Sequence, residues 1–118
     1  MRLHQLGQLA QAERLYAQVP PHDPGHADAL HLLGMIALQR GDAGDARDLI
    51  RKAIARNDRV ASYHFHHALA LQNLNDLQGA VAGYHRALAL KPDDPDTYNN
   101  MGNALAASGQ LDEALHTF

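Results

Sequence analysis

At 118 residues the chain is the size of one domain, with 46% apolar and 19% charged residues, which excludes a chain disordered by composition. A formal net charge of −3, without a run of basic residues, argues against nucleic-acid and anionic-membrane partners, and no apolar stretch is long enough to span a bilayer. The absence of cysteine excludes disulfide scaffolds and thiolate chemistry.

The first predicted element is an amphipathic helical segment, MRLHQLGQLAQAERLY. Its polar residues interrupt any apolar centre, so it does not have the pattern of a signal peptide, and a cytoplasmic location is predicted. Gly7 is expected to end a first helix, of which residues 1–6 are the remnant. Pro20 and Pro21 should end the second helix early.

Helical patterns continue along the rest of the chain. Leu30, Leu33, Ile36 and Ala37 have the spacing of one helix face, and similar patterns recur downstream. The predicted helices span residues 28–40, 43–56, 62–74, 78–91 and 96–108, with another from about 112. No segment alternates as a strand does, so the predicted fold class is all-α.

The chain repeats itself with a period of 34 residues, from Leu30 to His64 to Tyr98. At that offset LHLLGMIA aligns with HFHHALAL and with YNNMGNAL. The aligned columns are Gly34, Ala68 and Gly102; Ala12, Ala46, Ala80 and Ala114; Tyr16, Ile50, Tyr84 and Phe118; Gly7, Gly41, Asn75 and Gly109; and Pro24, Asp58 and Pro92.

Each column has a physical interpretation. A glycine such as Gly34 in the middle of a helix costs about 1 kcal/mol relative to alanine, so its use indicates that another helix packs close there. The alanine column supplies the reciprocal contact on the second helix. The glycine and asparagine column suits left-handed residues that end the first helix of each pair. Pro24 and Pro92 mark loops between pairs.

These residues resemble the tetratricopeptide repeat family. The resemblance lies in Tyr98-x-x-Met101-Gly102-x-x-Leu105 with Ala114 and Phe118, and in the equivalent positions of the earlier repeats: Leu30, Leu33, Gly34, Ala46, Ile50, His64, His67, Ala68, Leu71, Ala80, Tyr84 and Pro92. It implies a superhelix, or solenoid, of antiparallel helix pairs with a concave groove. One array should fill residues 1–118, with a partial repeat at 1–26, repeats at 27–60 and 61–94, and a partial repeat at 95–118.

The resemblance also implies a function. Members of this family bind proteins or peptides in the groove, which the first helix of each pair lines, so we expect a protein or peptide partner, no cofactor and no catalysis. The register predicts ten groove residues: His31, Met35, Phe65, His66, Leu69, Gln72, Asn73, Asn99, Asn100 and Asn103. Phe65 is the predicted anchor, because the repeat pattern requires no aromatic residue there.

The asparagines suggest how a peptide would be held, because an amide can bond both the N–H and the C=O of an extended backbone. YNNMGNALAASGQLDEAL is similar to repeats in O-linked N-acetylglucosamine transferases, whose grooves carry an asparagine ladder. Only Asn100 matches the ladder column, with His66 and Leu32 replacing it elsewhere. DALHLLGMIALQRGD resembles bacterial arrays that precede transferase domains. The alternative function is therefore a substrate-recognition segment of a larger glycosyltransferase-like enzyme.

Chaperone-binding members of the family offer a third possible ligand, a peptide's terminal carboxylate, which they hold with groove lysines, arginines and asparagines. The predicted groove has no lysine or arginine on its interior face, and Asp28 and Asp96 would repel the carboxylate.

The cluster YHFHH, residues 63–67, raises the question of a metal site. His64 and His67 occupy columns that hold bulky apolar residues in the other repeats, so we expect partly buried, neutral imidazoles with one hydrogen-bond partner each. A two-histidine metal site would need further ligands, for which His85 and Asp76 are candidates that no motif positions. The prediction is that the chain has no metal site.

The ends of the array predict self-association. Leu111, Leu115 and Phe118 would lie on an uncapped terminal helix, and solenoids need polar caps. We therefore expect a homo-oligomer, or a fragment of a longer array.

Overall fold

The computed structural model describes residues 2–20 and 22–117, with side-chain surroundings for 7–20 and 22–109. This part of the chain forms six α-helices and no strand, which confirms the all-α prediction. The helices are α1 (Arg2–Gln18), α2 (Pro24–Gln39), α3 (Ala43–Arg56), α4 (Ala61–Asn73), α5 (Leu77–Leu90) and α6 (Pro95–Thr117). Across the described residues, none of the helices combines the length and apolar character needed to cross a membrane.

The chemistry of the predicted turns sets several of the helix ends. The Asp23 carboxylate accepts a hydrogen bond of 2.8 Å from the Gly25 N–H, and Pro24 follows it at the start of α2. Helix α2 therefore begins four residues before the predicted start at residue 28. Gly41 and Asn75 have positive φ angles, 84° and 66°, just after α2 and α4. The turn column is confirmed at these two positions.

The same column fails at the two ends of the array. Gly7 lies inside α1 and Gly109 inside α6, so the turns predicted at these glycines are wrong. No heavy atom of a packing neighbour lies within 4 Å of a Cβ built on either glycine. Breaking a helix loses about one backbone hydrogen bond for each residue that leaves it. At Gly7 and Gly109 no packing contact at the glycine compensates for that loss, so the helix continues. The side chains of Leu111, Leu115 and Phe118, on which self-association depends, lie outside the described residues.

The helices stack as a solenoid, in an envelope of 54 × 31 × 22 Å. Each packs against the next in the chain, α2 also contacts α4, and α4 contacts α6. No Cα atom of α3 lies within 8 Å of a Cα atom of α5. The inner row of the stack is therefore α2, α4 and α6, where successive repeats are close. The outer row is α3 and α5, where they diverge, so the inner row is the concave side.

Among the side chains that the structure describes, two apolar clusters form the core, and each draws on three successive helices. The first joins Leu30 of α2, Ile50 of α3 and Tyr63 of α4, and the second joins Ala68 of α4, Tyr84 of α5 and Ala104 of α6. The alanine column is fully buried at the three positions that the structure describes, Ala12, Ala46 and Ala80. The helix pairs therefore share their cores, as the repeat pattern predicts.

The small-residue column marks close helix contacts at two of its three positions. A Cβ built on Gly34 would lie 2.4 Å from Ile50 Cγ1, and one built on Gly83 would lie 2.9 Å from the Ala68 Cβ. Gly102, in contrast, is exposed and has nothing within 4 Å of a built Cβ. Tyr16 also departs from its buried column, being 40% exposed, and stacks on the His26 ring at 4.5 Å.

The pair Gly34 and Gly102 gives a direct test of this packing. Gly34→Ala should lower the free energy of unfolding by about 1–3 kcal/mol, because the added methyl group overlaps Ile50. The control Gly102→Ala should raise it by about 0.5–1 kcal/mol, because alanine is the better helix former and space is available. Urea unfolding followed by circular dichroism measures both. Equal effects of the two substitutions would contradict the assigned contact.

Candidate functional site

The inner row carries all ten residues predicted to line the groove. His31 and Met35 lie on α2, the five from Phe65 to Asn73 lie on α4, and the three asparagines lie on α6. Seven of the side chains are half-buried: His31, Met35, Phe65, His66, Leu69, Gln72 and Asn100. The exposed side chains are Asn73, Asn99 and Asn103.

Two of the predicted residues meet across the boundary between repeats. His31 Nε2 of α2 lies 3.0 Å from His66 Nδ1 of α4, and the ring centroids are 4.9 Å apart. His66 Nδ1 is also 2.9 Å from the Ser62 carbonyl oxygen, which can only accept a hydrogen bond. The proton of His66 is therefore on Nδ1, and His31 Nε2 presents its lone pair to it. Both rings are neutral in this arrangement.

The pKa values of both imidazoles reflect this geometry. Burial, and then repulsion from His66, lower the pKa of His31 to about 4, while Asp28 and the Ser62 carbonyl act in the opposite direction. Burial also lowers the pKa of His66, against the hydrogen bond with Ser62. A proton on His31 would place two N–H groups against each other.

A tyrosine that the register analysis did not select joins the same network. Tyr63 is buried, its ring lies 4.7 Å from that of His31, and its hydroxyl donates a hydrogen bond to the Asp28 carboxylate. Burial and this carboxylate raise the pKa of Tyr63 well above its ordinary value. The repeat pattern could have indicated that Tyr63 is buried, because Ala29, Tyr63 and Thr97 share one register position and all three are buried.

Phe65 has a packing role that the sequence interpretation did not give it. It packs against the second apolar cluster, with its ring 5.9 Å from that of Tyr84 and perpendicular to that of His66 at 5.0 Å. Its remaining surface lines a cavity of about 320 Å³ together with His66, Lys91 and Asp96. Lys91 was missed because the sequence places it in the predicted helix 78–91, a second helix, and only first helices were expected to line the groove; in the structure α5 ends at Leu90.

Two other predicted residues, Gln72 and Asn100, both form hydrogen bonds with the Tyr84 hydroxyl. The Tyr84 hydroxyl donates a hydrogen bond of 2.6 Å to Gln72 Oε1. Burial raises the pKa of Tyr84 to about 12, and a hydrogen bond from the Asn100 amide opposes that shift. Gln72, in the same repeat as Tyr84, and Asn100, in the following repeat, are therefore both engaged with the Tyr84 hydroxyl. The amides of Asn73, Asn99 and Asn103 make no side-chain hydrogen bond to any described residue.

The other two histidines of the cluster face away from the groove. His64 is buried and donates from Nε2 to the Asp58 carbonyl oxygen at 2.8 Å, as expected of a core imidazole with one partner. His67 Nε2 is buried without a hydrogen-bond partner, so the partner expected for His67 is not found on that nitrogen. Burial, followed by Arg51, lowers the pKa of His67. In the described residues no three His, Asp or Glu side chains are grouped to hold a metal ion.

The His31 pKa makes stability depend on pH. An unfolded histidine titrates near 6.5, so between pH 6.5 and about 4 the unfolded chain binds more protons at residue 31 than the folded chain. Stability should therefore be full above pH 6.5 and fall on acidification through this window. Thermal unfolding at pH 7, 6 and 5 should show a steeper loss of Tm for the wild type than for His31→Leu. His85→Leu, at an exposed site on α5, is the control and should leave the slope unchanged. Equal slopes for wild type and His31→Leu would refute the assignment.

Comparison with known families agrees with this architecture. A tetratricopeptide repeat model matches residues 3–71, and a TPR repeat model matches residues 68–109. The chain is 35% identical over 107 residues to the cellulose synthase 2 operon protein C of Komagataeibacter xylinus. That alignment includes 87% of this chain but only 8% of the relative, so the chain spans less than a tenth of that protein's length.

Solved structures share the fold. A mutant O-GlcNAc transferase of Thermobaculum terrenum superposes with a TM-score of 0.79 at 29% identity, over 86% of this chain and 19% of that chain. The first TPR of Spaghetti (RPAP3), bound to the HSP90 peptide SRMEEVD, gives a TM-score of 0.73 at 16% identity, over 89% of this chain and 93% of that chain. The stacked helix pairs and the family models lead to one conclusion: the chain belongs to the tetratricopeptide repeat family, whose repeats typically mediate protein–protein interaction.

Proposed function

We propose that the chain is a non-catalytic interaction module that binds an extended peptide segment of a partner protein along α2, α4 and α6. The observation that carries the proposal is the row of exposed amides on the inner helices. Asn73, Asn99 and Asn103 are exposed and make no side-chain hydrogen bond to the described residues. An amide in that state offers one acceptor and two donors to a ligand.

The spacing of two of these amides suits a peptide backbone. Asn99 and Asn103 are four residues apart on α6, so they lie on one face and about 6 Å apart along the helix axis. Alternate residues of an extended chain are about 6.6 Å apart. Each amide can therefore meet an equivalent peptide group of an extended ligand. This contact depends on the backbone of the ligand more than on its sequence.

The cavity beside Phe65 adds a place for one side chain of the ligand. Its aromatic wall is Phe65, and its polar rim carries Lys91 opposite Asp94 and Asp96. One lysine beside two aspartates gives no excess of positive charge for a terminal carboxylate. The peptide held by the RPAP3 repeats supports binding by this fold in general, and the acidic rim favours a ligand other than an acidic chain end.

The second candidate is that these repeats select protein substrates for a larger enzyme. The observation that favours it is the 29% identity to a segment making up 19% of a solved O-GlcNAc transferase chain. The same amides would then present a substrate's extended segment to a catalytic domain elsewhere in that protein. The test uses a longer natural protein that contains these repeats. This candidate is supported if groove substitutions lower its turnover of protein substrates but leave its activity on a minimal substrate unchanged.

Backbone recognition can be tested with an array of extended peptides. We expect a bound peptide to lose about tenfold or more in affinity when alternate amides are N-methylated, because each methyl group removes a donor that an asparagine oxygen accepts. Asn99→Ala combined with Asn103→Ala should cost a similar factor in fluorescence polarisation measurements. Helicity should not change, because both side chains are exposed.

The matched control is Gln78→Ala. Gln78 is an exposed amide on α5, in the outer row, and its loss should leave peptide affinity unchanged. If the α6 double variant binds as tightly as wild type, or Gln78→Ala weakens binding equally, the groove is not the binding surface. Phe65→Ala is less informative, because Phe65 also packs against the core.

A further inference from the structure

The divergence of the outer helices leaves a cleft on the side opposite the groove. It encloses about 400 Å³, with Arg51 of α3 on one wall, Arg86 of α5 on the other, and His64 and His67 of α4 at its floor. Because the backbones of α3 and α5 are more than 8 Å apart between Cα atoms, the cleft opens outward between them. It therefore bridges two repeats at a surface that the proposed peptide does not occupy.

The charges of the cleft are predominantly positive. Arg51 and Arg86 are exposed, and neither forms an ion pair within 4 Å with a carboxylate of the described residues. Both act on His67 below them, together with Arg47, whose own carboxylate partner is Asp48 at 3.0 Å. The cleft thus holds two guanidinium groups without an ion-pair partner among the described residues of α3, α4 and α5, and Asp48 of α3 acts on Arg51 only from a longer distance.

One carboxylate offsets part of this charge. Asp58, in the loop between α3 and α4, also lines the cleft, and it is exposed. Its backbone carbonyl is the partner of His64, so its side chain is not needed for that hydrogen bond. The positive field of the cleft should therefore increase when this side chain is neutralised and the backbone contact is kept.

Among the three repeats compared, only the one at 61–94 has a histidine at the position of His67. At the register position of His67 the neighbouring repeats have Leu33 and Met101, which would close the floor with apolar atoms. His67 instead places a buried nitrogen without a hydrogen-bond partner beneath the two arginines. A buried polar group without a partner costs free energy, so a repeat that served only to pack would be better served by leucine.

We propose that the cleft between α3 and α5 binds a doubly charged tetrahedral oxyanion of the phosphate class, held by Arg51 and Arg86 from opposite walls. One arginine satisfies the two oxygens of a carboxylate, whereas a phosphate group has enough oxygens for two guanidinium forks. Its double charge also matches the two arginines. Ile54 and Leu90 line the same cleft, and they can contact the carbon atoms of a phosphate ester.

Titration calorimetry with inorganic phosphate and with sulfate, at constant ionic strength maintained with chloride, tests the site. Constant ionic strength removes general screening from the comparison. We expect both dianions to bind, and affinity to fall about tenfold for each of Arg51→Ala and Arg86→Ala, which corresponds to about 1.4 kcal/mol each. Arg40→Ala is the control, because Arg40 is an exposed arginine at the end of α2 and does not line the cleft.

The substitution Asp58→Asn should change anion affinity in the opposite direction from the arginine substitutions. It should strengthen phosphate and sulfate binding, since it removes the negative charge of the cleft and leaves the carbonyl bond to His64 in place. Phenyl phosphate distinguishes the source of the oxyanion: tighter binding than inorganic phosphate assigns the cleft to phosphate esters, and equal binding assigns it to the free ion.

Three results would overturn the proposal. The first is that neither dianion binds more tightly than chloride does. The second is that binding persists in the Arg51→Ala, Arg86→Ala double variant while circular dichroism shows it folded. The third is that Arg40→Ala weakens binding as much as the cleft variants do, because the interaction would then be with the overall charge and not with this site.

Discussion

The shared burial of apolar side chains between successive helix pairs is the interaction on which the rest of the structure depends. Tyr63 of α4 completes the cluster formed by α2 and α3, and Ala104 of α6 completes the one formed by α4 and α5. These contacts require close helix approach, which Gly34 permits against Ile50 and Gly83 against Ala68. The same close approach fixes which helices form the inner row, and therefore where amides and imidazoles are presented.

The segment YHFHH shows how one helix serves three surroundings. His66 faces the inner row and meets His31, whereas His64 and His67 lie at the floor of the outer cleft. Phe65 contacts the core on one side and the groove cavity on the other. Because a helix turns by about 100° per residue, adjacent histidines reach opposite sides of the stack. The three histidines are thus divided between two surfaces, His66 on the inner row and His64 with His67 in the outer cleft.

Much of the fold could be predicted from the 34-residue period, because one pattern is repeated with the same spatial meaning. Helix α3 has the predicted limits, and Gly41 and Asn75 have the predicted left-handed geometry. The same pattern gave wrong turn predictions at Gly7 and Gly109. A glycine ends a helix where packing of the next helix favours a turn, and neither glycine has a packing neighbour.

The site was less predictable than the fold. Register placed all ten residues of the predicted groove on the inner helices, but it could not show that Gln72 and Asn100 are engaged with Tyr84. It also missed Lys91, which lies in a loop and enters the cavity beside Phe65 through the tertiary fold. Side-chain pairing between helices depends on distances of a few ångströms, and a column of residue types does not contain those distances.

The contrast between the two rows has a mechanical consequence. Inner helices α2 and α4 are joined by the Tyr63–Asp28 hydrogen bond and by the His31–His66 contact, whereas no Cα atom of α3 lies within 8 Å of a Cα atom of α5. Bending of the array should therefore be easiest at its outer edge, where the distance between α3 and α5 can change while the contacts between α2 and α4 are kept. An extended peptide bound along the inner row would keep its alignment while the curvature of the array changes.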